Sequence, residues 1–109
     1  MATVTLDSRY TDVLAALGGL ELQLETAVRQ YTYKKVSERI IDLQREIAAI
    51  QSKYQTPYEL FYARVTTDEE FVQMLRQSHP TWERDLNAWE YYTEELSEWL
   101  GRLNSILKN

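Results

Sequence analysis

The sequence has no cysteine, and only three glycines and two prolines among its 109 residues. Without cysteine there can be no disulfide, no thiolate nucleophile and no cysteine-ligated zinc, which suits a reducing compartment. Glycine and proline supply most of the backbone conformations that tight turns require. Their scarcity favours a few long helices over many short strands. We therefore expect an all-α protein that forms a single domain over residues 1–109.

The sequence also lacks long apolar segments. No stretch approaches the roughly 18 apolar residues that a membrane-spanning helix requires. The first ten residues carry neither the basic nor the apolar segment of a secretory signal. Both absences predict a cytoplasmic protein with no membrane association. The net charge of −5 opposes binding to nucleic acid or to an anionic membrane surface, and it is compatible with a basic protein partner.

Residues typical of catalytic and metal sites are scarce. His79 is the only histidine, whereas zinc and iron sites usually contain two or more. There is no glycine-rich phosphate loop, no G-x-S-x-G and no H-E-x-x-H. The acidic run 68–70 follows Thr67 in the pattern of a capping box, with Thr67 as the N-cap and Glu70 three residues later. We predict that the protein is not an enzyme and holds no cofactor or metal.

Hydrophobic spacing predicts the order of the elements. Residues 2–6 alternate apolar and polar, as in a short strand. A short helix follows and ends at Gly18, and a helix free of glycine and proline runs over 20–54. Two short helices connect over 57–77, and a last helix covers 80–107. The predicted fold is all-α: long helices form a helical hairpin or bundle, with two short connecting helices and a short N-terminal strand.

The second half of the long helix carries a heptad seam. Its apolar residues follow one another at alternating steps of four and three, over about two and a half heptads. They are Val36, Ile40, Leu43, Ile47, Ile50 and Tyr54. Such a seam packs either against a second chain or against the last helix of the same chain. The spacing alone leaves both arrangements open.

Two features favour a homodimer. A helix of about 35 residues spans roughly 52 Å, whereas a domain of this size has a radius of gyration near 13 Å. A lone strand at 2–6 also needs a partner, and the same strand of a second copy is the simplest one. The alternative is that residues 2–6 are a frayed terminus. The residues predicted for the dimer interface are Val4, Leu6, Val36, Ile40, Leu43, Ile47 and Ile50.

The last helix is rich in aromatic residues, which exceed what one buried stripe requires. Core packing accounts for Trp89, but the aromatic positions together extend around much of the helix. Tryptophan and tyrosine are enriched at the centres of protein interfaces. We therefore predict that this set binds a partner protein: Trp82, Trp89, Tyr91, Tyr92 and Trp99.

The order strand, short helix, glycine turn and long helix resembles a ribbon-helix-helix module, and LETAVRQY at 24–31 is similar to its second helix. TWERDLNAWE at 81–90 is similar to the C-terminal segment of small antitoxins from bacterial type II toxin–antitoxin pairs. The resemblance covers residues 2–54 and 80–99. It implies an N-terminal dimer with Val4 and Leu6 facing the core and a C-terminal helical region that wraps a basic toxin. Some members of the family also bind their operator DNA.

The candidate DNA contacts are Thr3, Thr5 and Arg29. The resemblance points Thr3 and Thr5 towards a DNA groove, and Arg29 belongs to a basic cluster that either touches phosphates or forms a solvated helix face. Known DNA-binding members usually carry basic or amide side chains on the ribbon, so toxin binding is favoured over DNA binding. Two functions stay open: an antitoxin-like dimer that neutralises a toxin, or a helical adaptor that dimerises and tethers another protein complex.

Overall fold

A computed structural model of the chain describes residues 5–108, and every regular element in that range is an α-helix. The helices are α1 (Ser8–Ala16), α2 (Leu20–Tyr54), α3 (Tyr58–Thr67), α4 (Glu69–Ser78) and α5 (Trp82–Leu107). The all-α prediction is confirmed, with long α2 and α5 packing together and two short helices between them. Over the described residues, none of these helices is both long and apolar enough to cross a membrane.

The predicted N-terminal strand is not seen. Ala2, Thr3 and Val4 lie outside the described residues, and Thr5 and Leu6 adopt no regular structure. A strand is stabilised by a ladder of hydrogen bonds to a neighbour, and no other segment of the described chain forms one. Asp7 instead caps α1, because its side chain accepts a hydrogen bond from the Arg9 backbone N–H at 2.8 Å.

The helix ends follow from local chemistry. Gly18 and Gly19 both have positive φ angles (126° and 113°), which separates α1 from α2. Gln55 ends α2 with φ at 55°, and Pro57 precedes α3. The capping prediction at Thr67 is wrong by one residue: Thr67 ends α3, and Asp68 accepts from the Phe71 backbone N–H at 3.1 Å. A carboxylate is favoured at a helix N-terminus by the helix dipole.

The chain divides into two compact units, Met1–Lys35 and Val36–Asn109. In the first unit no described residue is buried. The second unit holds the core, in which aromatic rings from α3, α4 and α5 meet. The cluster consists of Phe61, Phe71, Leu75 and Trp89, with Ile47, Ile50, Tyr54, Tyr58, Val65, Trp82 and Leu86 packed against it.

The heptad seam of α2 packs within this second unit. Val36, Ile40 and Leu43 are buried, with Leu43 fully enclosed, and Ile47 and Ile50 contact the aromatic cluster. The seam therefore contributes to the chain's own core, which answers the question that its spacing left open. Side chains buried in this way have little surface left for contact with a second copy.

Candidate functional site

The outward side of α5 is a stripe of glutamates. Glu83, Glu90, Glu94 and Glu98 are exposed and follow one another at steps of seven, four and four, which places them on one side of the helix. Helix α5 contains six carboxylates and two guanidinium groups, so its side chains carry a net charge of −4 out of the chain's −5. Six of the 17 acidic residues lie on this helix, and few basic residues offset them there.

The carboxylates of this stripe are largely unpaired. Glu98 lies 3.8 Å from Arg102, a spacing at which an exposed pair contributes little. Within residues 5–108, Glu83, Glu90 and Glu94 form no ion pair. Exposed charges without partners keep their full attraction for an incoming cation, since no internal ion pair must be broken first.

Two tyrosines of α3 lie beside this stripe. The rings of Tyr58 and Tyr62 are stacked at 6.0 Å, and Tyr58 also packs its edge on Trp89 at 5.5 Å. Partial burial raises the pKa of the Tyr58 phenol, and the charges of Glu90, Tyr62, Glu94 and Glu59 raise it further. Because Glu90 and Glu94 act on this phenol, the α3 tyrosines and the α5 glutamates share one surface. We call it the acidic–tyrosine face: Tyr58, Glu59, Tyr62, Glu90 and Glu94.

A second polar group joins α2 to α5. Asp85 accepts hydrogen bonds from the Tyr54 hydroxyl and the Lys53 ammonium, both at 2.6 Å. Partial burial raises the pKa of Asp85, but the bonds from Lys53 and Tyr54 outweigh it, so the pKa lies below its usual range. Burial and the bond to Asp85 raise the pKa of Tyr54 well above its ordinary value. Each of these groups is engaged within the chain, so the cluster fixes α5 against α2 and is not poised for chemistry.

A groove of about 360 Å³ opens next to this cluster, lined by Lys53, Tyr54, Gln55, Phe71, Met74, Leu75, Ser78 and His79. The His79 ring packs on Tyr54 at 5.1 Å, and its Nδ1 lies 2.9 Å from the Ser78 hydroxyl. Over the described part of the chain, no three potential metal ligands come together. His79 is a packed residue at the C-terminal end of α4.

The structure separates the aromatic residues predicted to bind a partner. Trp89 is only 1% exposed and belongs to the core, so it cannot reach a partner without unfolding. Trp82 is half-buried against the same core. Trp99 is half-buried and donates its Nε1–H to Glu95 at 3.1 Å. Tyr91 is about half exposed and packs its edge on half-buried Tyr92, so of this set it is the one that presents a ring to solvent.

The residues predicted to contact DNA or to form the dimer are placed as follows. Thr5 is exposed and Leu6 is half-buried, both in irregular backbone, while Thr3 and Val4 lie outside the described residues. Arg29 forms an ion pair with Glu25 one turn away at 3.2 Å, which is typical of a solvated helix face. The seam residues of α2 are buried in the second unit, as described above.

Sequence reasoning missed the contribution of α3. The segment 57–77 was predicted as two short connecting helices, but not as part of a site. Tyr58 and Tyr62 stand four residues apart and hence on one side of a helix. That pair was a usable signal, although nothing in the sequence showed which helix would lie beside it.

No protein-family model matches this sequence, and neither a curated protein nor a solved structure matches it.

Proposed function

We propose that the chain is an antitoxin-like, dimeric binding protein that neutralises a basic partner protein through its C-terminal helical region. The acidic–tyrosine face is the contact surface. The observation that carries this proposal is the exposed, unpaired pair Glu90 and Glu94 beside the stacked rings of Tyr58 and Tyr62. Carboxylates draw in arginine and lysine, and tyrosine rings add contact area and a face for a guanidinium group.

The negative charge of α5 favours a basic protein as the partner over nucleic acid or an anionic membrane. A helix with a net side-chain charge of −4 repels the phosphates of nucleic acid and of anionic lipid headgroups, but it speeds the approach of a basic protein. Such steering acts mainly on the association rate and weakens with salt. We therefore expect the complex to form more slowly at high ionic strength.

The family resemblance supports the antitoxin assignment. It places the partner-gripping region in residues 80–99, which overlaps α5 and the glutamate stripe. The structure changes which residues of that region would make the contact. Tyr91 and the glutamates face outward, whereas Trp82 and Trp89 hold the helix in place from inside.

Co-expression with the product of the neighbouring gene tests the proposal. The wild-type chain is expected to co-purify with that product and to relieve its toxicity. The double variant Glu90→Lys/Glu94→Lys is expected to lose the complex. Asp42→Lys/Glu46→Lys is the matched control, because it makes the same change in charge at an exposed pair four residues apart on α2, on the flank of the buried seam.

The outcomes distinguish an error in the antitoxin assignment from an error in the contact surface. A wild-type chain that neither co-purifies with the neighbour nor relieves its toxicity overturns the antitoxin assignment. Loss of the complex in both double variants shows that only net charge matters and overturns the acidic–tyrosine face as the contact. Retention in Glu90→Lys/Glu94→Lys overturns that contact as well.

A second candidate is a helical adaptor that dimerises and tethers another protein complex. It is favoured by the first unit, in which Tyr10, Val13 and Leu17 expose more than half of their surface and no residue over 5–35 is buried. Apolar side chains exposed in this number usually mark an interaction surface. Affinity purification from the native host, followed by mass spectrometry, distinguishes the two: a multi-subunit assembly supports the adaptor, and one small basic protein supports the antitoxin.

A further inference from the structure

The first unit forms an apolar arm, which we define as α1 and the part of α2 up to Lys35. None of its described residues is buried. Tyr10 and Val13 of α1 and Leu17 at its C-cap follow steps of three and four and therefore share one side of the helix. Each exposes about 60% of its surface. A helix of nine residues has little stability of its own in water, so this side needs a cover.

Helix α2 carries an apolar stripe of its own within the arm. Val28 and Tyr31 are 62% and 63% exposed, and half-buried Leu20 and Leu24 lie on the same side of the helix. The opposite side carries Leu22, which is also 63% exposed. The stripe from Leu20 to Tyr31 has the four-residue spacing of a helix-packing surface.

We propose that the apolar arm is the dimer surface, and that it pairs with the same arm of a second copy, with the two α2 segments antiparallel across a two-fold axis near Val28. The inference rests on the proposed function only in taking the chain to be a homodimer. It moves the interface from the buried heptad seam to the arm, where apolar side chains remain uncovered.

The exposed area is sufficient for a dimer. At roughly 100–150 Å² for each large side chain that is about 60% exposed, the five residues Tyr10, Val13, Leu17, Val28 and Tyr31 expose on the order of 600 Å². Complete burial of these side chains in two copies would remove up to about 1,200 Å² from solvent, which is enough to reach the ~1,000 Å² expected of a specific interface.

The charges favour a second copy over a charged partner. The first unit has four acidic and four basic side chains, so two arms can approach without net repulsion, whereas residues 36–109 carry the whole net charge of −5. A strongly basic partner would gain nothing from a neutral arm. Electrostatic repulsion between two copies is therefore smaller at the first unit than at residues 36–109.

The order of the charges along α2 favours the antiparallel arrangement. Glu21 flanks the apolar stripe at the beginning of the helix, and Lys34 flanks its other end between three and four turns later. An antiparallel partner brings its basic end to the acidic end of the first copy, and the midpoint of this pattern falls near Val28. A parallel partner would place like charges side by side.

Sedimentation velocity on the full chain tests the surface, with Tyr31→Glu as the variant and Leu22→Glu as its matched control. The two residues are equally exposed and stand nine positions apart, so they lie on opposite sides of one helix. The wild type and Leu22→Glu are expected at twice the 12.9 kDa chain mass, and Tyr31→Glu at the monomer mass. Neither substitution removes a buried contact, so both variants should fold.

Cysteine cross-linking tests the direction of pairing, since the natural sequence has none. Val28→Cys is expected to give a disulfide-linked dimer on mild oxidation. Glu21→Cys is expected to give none, because an antiparallel partner holds its own residue 21 about 21 Å away along the helix. Disulfide formation by both variants overturns the antiparallel arrangement.

The remaining outcomes are equally decisive. A monomeric wild type overturns the dimer, and a Leu22→Glu variant that dissociates while Tyr31→Glu stays dimeric overturns the face. The Glu90→Lys/Glu94→Lys variant is expected to stay dimeric. A chain that is dimeric through the arm but binds no neighbour product refutes the antitoxin function and leaves this inference standing.

Discussion

Gln55 ends the longest helix in a conformation that glycine would adopt more readily. Its φ of 55° lies in the left-handed region, where the Cβ of an L-residue crowds the following carbonyl. Its backbone N–H donates to the Gln51 carbonyl at 2.7 Å, which is the hydrogen bond of a left-handed helix end. The Gln55 side chain is exposed and makes no hydrogen bond or ion pair with any described residue. Replacing it by glycine should therefore remove strain and lose little.

The expected gain follows from two opposing contributions. The left-handed conformation costs a non-glycine residue roughly 1–2 kcal/mol. The greater conformational freedom of glycine in the unfolded chain offsets about 0.4–1 kcal/mol of this stabilisation. The net effect of Gln55→Gly is thus a stabilisation of about 1 kcal/mol, or a rise of about 5 °C in the melting temperature of a unit of this size.

The control uses the same substitution one turn earlier. Gln51→Gly lies inside α2 at an exposed position, where glycine is expected to destabilise by about 1 kcal/mol. Thermal unfolding followed by tryptophan fluorescence measures both variants, because Trp82, Trp89 and Trp99 all belong to α5 and report on the second unit. Equal signs for the two variants, or no gain for Gln55→Gly, would refute the strain argument.

Two further predictions concern the buried side of α2 and the hydrogen bonds that join α2 to α5. Leu43→Ala should destabilise the second unit by about 2–5 kcal/mol, because Leu43 is fully buried. The variant should keep the wild-type mass in solution. Loss of the dimer without a lower melting temperature would instead place the seam between chains. The lowered pKa of Asp85 means that its bonds stabilise the fold above the ordinary aspartate value of about 4, and that this contribution is lost as the pH falls through the folded value. Asp85→Asn should therefore weaken the fall in the free energy of unfolding at acid pH, measured by urea titration at a series of pH values. Asp42→Asn, at an exposed site, is the control and should leave that fall unchanged. Parallel pH profiles for Asp85→Asn and the wild type would contradict this account.

The helices were predictable because their signals are local. The absence of glycine and proline over 20–54 and the glycine pair before it located α2, and Pro80 located the start of α5. The one-residue error at Thr67 arose because threonine and aspartate are both good caps. Thr67 instead donates its hydroxyl to the Ala63 carbonyl at 2.6 Å and stays in α3.

Tertiary context decided what local pattern could not. The spacing of Val36, Ile40 and Leu43 is the same whether the seam faces a second chain or α5, so burial alone could show which it is. In the same way, all the aromatic residues of α5 looked alike in the sequence. Only the position of α3 shows that Trp89 is a core residue and that Tyr58 belongs to an exposed acidic surface.

The absence of buried residues in the arm has a consequence for turnover. Backbone amide hydrogens in a segment without a core exchange with solvent through local opening that costs little free energy. A protease cuts the same open states. Covering by a second copy would suppress that opening in proportion to dimer occupancy. The lifetime of the chain in the cell should then depend on its own concentration, with dilute chains cleaved first between Ser8 and Lys35 and concentrated chains protected.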